Sequence, residues 1–147
     1  SFARSISRAL KSHEHARENI TFIHADADSS SVVFQPDRAV LIDWAEAGWG
    51  SRYYDIGATI ESLLAERKAN QRELIRTYLA EYFGEAGATE RDLELIELHI
   101  KLRLLAAATA HLRRSREDQL LNRIRYAKFV AECFRKAQKF SLAAAIK

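Results

Sequence analysis

The chain has 147 residues, 48% hydrophobic and 29% charged, with one Pro, five Gly and a formal net charge of +3. A chain of this size makes one helix-rich globular domain that buries about 68–70% of its unfolded surface. No apolar run approaches the roughly 18–20 residues of a membrane span, and the N-terminus SFARSISRALKS lacks a signal-peptide core of about 7–15 apolar residues.

The single cysteine, Cys133, cannot form an internal disulfide, which fits a reducing cytoplasm. Its place in the helical run FVAECF makes it a core residue. Charge is unevenly spread: Lys101 to Lys147 holds 12 Lys/Arg against 3 Asp/Glu, and the first hundred residues hold 11 against 17. The basic third reads as a solvated helix face complementary to the acidic part.

In chain order, Phe2, Ile6 and Leu10 recur at helical spacing and predict a helix from about Phe2 to Ala16. ITFIHA, from Ile20, is a short β-branched run that predicts a buried strand. SVVF from Ser31 and AVLIDW from Ala39 predict two more strands, joined by the turn Gln35-Pro36-Asp37-Arg38 as a hairpin. After Asp55 the pattern is helical throughout. IGATIESLLAERKA and QRELIRTYLAEYF are amphipathic, with Gly84 and Gly87 ending the second.

Thr89 to Asp92 resembles a capping box with Asp in the Glu position. It opens a long buried helix to about Arg114, and a last helix runs from about Arg116 to Phe140. The closing SLAAAIK is expected to fray. The fold class is therefore α+β and mostly helical, a small β-hairpin element on a helical body, as a single unit over residues 1–147.

The chemistry concentrates between Ile20 and Gly57. Asp26 follows a strand and lies in a loop of small polar residues, so its carboxylate is accessible and held. In kinase-type phosphoryl transfer one Asp accepts the acceptor hydroxyl's proton. An Asn five residues later and an Asp at the next strand end hold Mg²⁺ against the nucleotide phosphates. The spacing here repeats that frame, with the base at Asp26 and metal ligands at Ser31 and Asp43.

These residues carry a family resemblance. His24-Ala25-Asp26, Ser31-Val32-Val33, Ile42-Asp43-Trp44, Ala47-Gly48 and Tyr54-Asp55-Ile56-Gly57 stand in the order and spacing of the aminoglycoside phosphotransferase and choline kinase family. That family is built on the protein-kinase-like fold, and this chain is similar to its C-terminal catalytic lobe. The resemblance implies Asp26 as catalytic base and His24 as a residue bracing the catalytic loop. It implies Asp43 and Ser31 as ligands of Mg²⁺ and of ATP or GTP, and Asp55 as the aspartate tying the helical body to the loop, with Trp44 in support. By position Asp55 is also a natural helix N-cap. The partners implied are a small-molecule hydroxyl acceptor and a nucleotide-binding N-terminal lobe, for which this sequence shows neither a Gly-rich loop nor a strand-borne Lys.

The sequence departs from the family at Ser31, which stands for Asn, at Ala25, which stands for Gly, and at Asp28-Ser29-Ser30, which stands for His-Pro-Gly. Asp28 is either a substitute ligand or a solvated loop acid. Two function classes stay open: the catalytic lobe of a Mg·ATP-dependent small-molecule kinase, and a kinase-like binding or regulatory module that has lost transfer. A dehalogenase-type phosphatase built on Asp26-Ala27-Asp28 would need a parallel sheet. Nucleic-acid binding by Arg113, Arg114, Arg116, Arg123, Arg125, Tyr126 and Phe129 competes with a plain amphipathic helix marked by Leu120, Leu121, Ile124 and Val130. His13 and His15, His99 and His111 form no metal-ligand spacing. Trp44 and Trp49 flank the Asp43 loop, with packing as their default role and stacking on substrate as the alternative for Trp49.

Overall fold

The computed structural model of the protein describes residues 2–13, 19–66, 69–115 and 120–146. Its elements run α1 (Phe2–His13), β1 (Ile20–Ile23), β2 (Val32–Phe34), β3 (Ala39–Leu41), β4 (Gly48–Ser51), α2 (Arg52–Ala65), α3 (Gln71–Phe83), α4 (Glu90–Ser115), α5 (Leu120–Lys139) and α6 (Leu142–Ile146). The mostly helical α+β class holds. Among the described residues every strand pairing is antiparallel, in two separate two-stranded sheets, which is not the parallel sheet of a dehalogenase-type fold.

The hairpin β2–β3 forms as the sequence predicts, in the register Val32↔Leu41 and Phe34↔Ala39. Gln35 N–H donates to Arg38 O at 2.8 Å and closes its turn. One strand was not foreseen: Gly48–Ser51 pairs with β1 in the register Ile20↔Ser51 to Ile23↔Gly48. Two glycines and a serine in four residues hide a strand from propensity reasoning. Gly50 has a steric reason, since a Cβ there would meet Ile23 Cδ1 at 2.5 Å.

β1 corrects a second expectation. Only Ile23 is buried, while Ile20 and Phe22 face outwards. An apolar run does not reveal how many of its faces are covered, and a two-stranded ribbon covers one.

The core lies among the helices. Ile56 and Ile60 of α2, Ile75 of α3 and Ile96 and Ile100 of α4 are essentially inaccessible, and Ile6 of α1 joins them. Gly57 lets α2 come close to α4, because a Cβ there would sit 3.3 Å from Ile100 Cγ1. Cys133 is buried, and burial pushes its thiol up, as suits a core residue. Where fraying was expected, Leu142–Ile146 forms the short helix α6. Leu142 is 1% exposed, and its N–H donates to Glu97 Oε2 at 2.8 Å. The side chains of Phe2, Leu10, His13, His15, His111, Arg113, Arg114, Arg116, Leu120, Leu121, Arg123, Ile124 and Tyr126 lie outside the described residues.

The capping box at the start of α4 is formed. Thr89 N–H donates to Asp92 Oδ2 at 2.9 Å, and Asp92 N–H to Thr89 Oγ1 at 3.1 Å. Tyr53 OH also donates to Asp92, linking α2 to this cap. Burial opposes ionisation of Asp92, but the bonds from Thr89 and Tyr53 and the Arg52 charge outweigh it and hold the carboxyl below its ordinary value. A depressed folded pKa gives stability that is present above the unfolded value and lost as pH falls through the folded one. Asp92→Ala should therefore cost about 1–2 kcal/mol at pH 7. The deficit should shrink in thermal melts taken below about pH 4.

Candidate active site

The predicted base sits in a loop whose backbone is bonded at nearly every residue. Asp55, in the first turn of α2, accepts from His24 N–H at 2.7 Å through Oδ2 and from Ala25 N–H at 2.8 Å through Oδ1. Both carboxylate oxygens are thus committed to consecutive loop amides. This differs from the N-cap expected from sequence. α2 begins at Arg52 with Ser51 as its cap, so Asp55 lies inside the helix and points at the loop.

The same helix face continues the attachment. Thr59 Oγ1 donates to Ala27 O at 2.7 Å, and Ser62 Oγ accepts from Ser29 N–H at 3.1 Å. Asp55, Thr59 and Ser62 stand at i, i+4 and i+7, one side of a helix. Thr59 and Ser62 escaped the sequence reading. Their signal was a polar stripe in register with Asp55 on an amphipathic helix.

His24 is buried and joins two parts of the site. Its Nε2 donates to Ile42 O at 2.8 Å and its Nδ1 accepts from Asp26 N–H at 3.3 Å. These partners fix the Nε2–H tautomer. The ring therefore spans from the backbone of Asp26 to the residue before Asp43. Trp44 packs edge-on against it, 4.7 Å between ring centroids, and donates from Nε1 to Leu41 O at 3.0 Å. Phe22 stacks on Trp44 and meets Trp49 edge-on, and Trp49 is 79% exposed.

Ser31 is turned inward. It is buried, and its Oγ donates to Asp26 O at 2.8 Å, five residues back. Asp28 caps the short 3₁₀ turn Ser29–Ser31 by accepting from Ser30 N–H and Oγ. Those bonds hold its carboxyl below the ordinary range. Oδ1 of Asp28 thus serves as the turn cap.

Asp43 is exposed, and its side chain makes no hydrogen bond or ion pair among the described residues. An uncommitted carboxylate is a suitable oxygen donor for Mg²⁺, which is held through one or two carboxylates plus substrate phosphates. The described residues contain no group of three or more His, Cys, Asp or Glu able to hold a metal by themselves. Two non-glycine residues in the described chain have positive φ, Ala25 at 65° and Asp43 at 62°. They adjoin or form the two acidic positions singled out from sequence. Backbone strain of about 1–3 kcal/mol persists only where surrounding contacts enforce it.

Asp26 opens onto a cleft of about 420 Å³ lined by Ala25, Asp26, Glu46, Tyr54, Glu61 and Arg103, among others. That volume falls within the roughly 300–1,000 Å³ of small-molecule sites. Its side chain is 51% exposed, with Arg103 Nη2 3.5 Å from Oδ1. Glu61 and Arg103, paired at 3.0 Å, were not singled out from sequence.

Two substitutions test the loop attachment. Asp55→Asn turns an amide NH₂ towards one of two N–H donors, and should cost about 2–3 kcal/mol in chemical denaturation. Ala25→Gly relieves the positive φ at some entropic cost, and should gain about 0.5–1 kcal/mol, raising Tm by a few degrees.

A search of curated proteins found no match, and neither did a search of solved structures. The model of the APH family, described as the phosphotransferase enzyme family, matches residues 2–96, which span α1, all four strands, α2, α3 and the start of α4. With that match covering well over half of its length, the chain belongs to the phosphotransferase enzyme family.

Proposed function

We propose that this chain is the catalytic-loop lobe of a Mg·ATP-dependent phosphotransferase that acts on a hydroxyl group of a small molecule. The observation that carries the reading is Asp26: a half-exposed carboxylate on a tightly bonded loop, facing a cleft of small-molecule size. Catalysis of this kind is mainly positioning and electrostatics. The acceptor lies in the cleft with its hydroxyl against Asp26, which orients it and takes its proton. Asp43 would hold Mg²⁺, and Ser31, whose Oγ–H is given to Asp26 O, would offer the metal only a remaining lone pair. Bound Mg·ATP supplies the phosphoryl group and neutralises its developing charge. The exposed Phe22, Trp44 and Trp49 would seat a nucleotide-binding lobe.

One observation favours the second reading, a kinase-like binding module. Ser31 Oγ is buried and bonded to Asp26 O, so the position of the second ligand serves the loop. Ser31→Asn separates the two, because an amide can donate to Asp26 O and still present an oxygen. Large restoration of turnover by this variant would assign the natural chain to the module.

The direct test is phosphate-ester formation from Mg·ATP across a panel of amino alcohols, sugars and aminoglycosides, using the protein at the length its host makes. Asp26→Asn should lower kcat by about 10²–10⁴-fold. Asp43→Ala should abolish Mg-dependent nucleotide binding measured by calorimetry. Binding that is unchanged in Asp43→Ala would refute the ligand assignment.

A further inference from the structure

Arg103 belongs to α4, seventy-seven residues after Asp26 in sequence and beyond the segment matched by the family model. Its side chain is 16% exposed. Nε donates to Glu61 Oε2 at 3.0 Å, Nη1 to Ala25 O at 3.3 Å, and Nη2 reaches Asp26 Oδ1 at 3.5 Å. The guanidinium also lies over the Tyr54 ring, 5.1 Å from its centroid. One planar fork thus touches the backbone before Asp26, the carboxylate of Asp26, and two anchors on α2. We propose that Arg103 is a positioning residue that fixes the direction of the Asp26 carboxylate, a role that rests on Asp26 being the base.

The physical case starts from what the loop leaves free. Asp55, His24 and Thr59 hold the backbone on either side of Asp26, but none of their bonds reaches its carboxylate. The terminal torsion of Asp is broad, so a half-exposed carboxylate on a rigid backbone still rotates. A group that is itself held in place and reaches the carboxylate restrains this rotation. The fork of Arg103 is held by Glu61 and Ala25 O and reaches Asp26 Oδ1.

Its strongest bond goes to Glu61 and its longest to Asp26. Asp26 is therefore aimed without being bound tightly, and it keeps lone pairs for a hydroxyl proton. Burial works against the charge of Arg103, but Tyr54, Glu61 and Asp26 outweigh it and keep the guanidinium protonated, so it does not compete as an acid. Lysine cannot substitute, because a compact ammonium does not reach three acceptors in one plane.

The test compares wild type, Arg103→Met, Arg103→Lys and Glu61→Gln, with Arg103→Met repeated in an Asp26→Asn background. The readout is phosphoryl transfer from Mg·ATP to an acceptor found by the panel, or to water if none is found. Arg103→Met should lower kcat about tenfold or more, with KM for nucleotide and acceptor within about twofold. Arg103→Lys should restore thermal stability but not kcat, and Glu61→Gln should give a smaller loss in the same direction. In the Asp26→Asn background, Arg103→Met should cost nothing further.

Equal kcat losses in both backgrounds, or a rise in acceptor KM alone, would overturn the positioning role. A severe Asp26→Asn defect beside a wild-type kcat in Arg103→Met would overturn it while leaving the base intact. A wild-type kcat in Asp26→Asn would remove the base assignment, and the proposal with it. Thermal melts of the four-variant cycle read the same pair without substrate: the Tm shifts of Asp26→Asn and Arg103→Met should not add, and strict additivity contradicts the contact.

Discussion

Two hydrogen bonds from one carboxylate hold the site in place. Asp55 takes the N–H groups of His24 and Ala25, and with both oxygens used it fixes the loop in position and in direction. Ala25 is held at positive φ at that point, where a side chain costs energy that only a strong local restraint repays. The strain and the restraint occur together, and Asp26 follows immediately.

From that anchor the rest of the site is a consequence of helix geometry. A residue in the first turn of α2 fixes where Thr59 and Ser62 fall, and these reach Ala27 and Ser29. Gly57 and Ile56 carry the same helix into the core against α4. Arg103 on α4 then reaches the loop as well. The loop is thus bonded to two helices that are packed on each other, and its stability is tied to that of the core. His24 extends the frame to Ile42, which ties the Asp43 turn to the Asp26 loop.

Much of this was legible in the sequence because the pattern is local. The capping box at Thr89, the glycine at the end of α3 and the hairpin turn at Gln35–Arg38 depend on residues within four positions of one another. The order of His24, Asp26, Asp43 and Asp55 was visible for a different reason, since it repeats the spacing of a known family's motifs. What escaped depended on tertiary contact. β4 is a strand through its pairing with β1, where Gly50 leaves room for Ile23, which no propensity expresses. The outward face of β1 depends on what covers it. Arg103 and Glu61 are two charged residues on helices, and only the packing of α4 on α2 brings them to Asp26. The spacing that marks Ser31 says nothing of its burial or of the bond it makes to Asp26 O, both of which follow from loop closure.

The claim that the catalytic loop is a rigid platform built by α2 is most directly tested by amide hydrogen exchange at His24 and Ala25. If Asp55 holds them as described, both amides exchange only when the helical core unfolds, with protection close to that of Ile56 and Ile100 in the same experiment. Exchange at the rate of an open surface loop, with the core amides still protected, would mean that the loop is free of α2, and the account of the site built on it would fail.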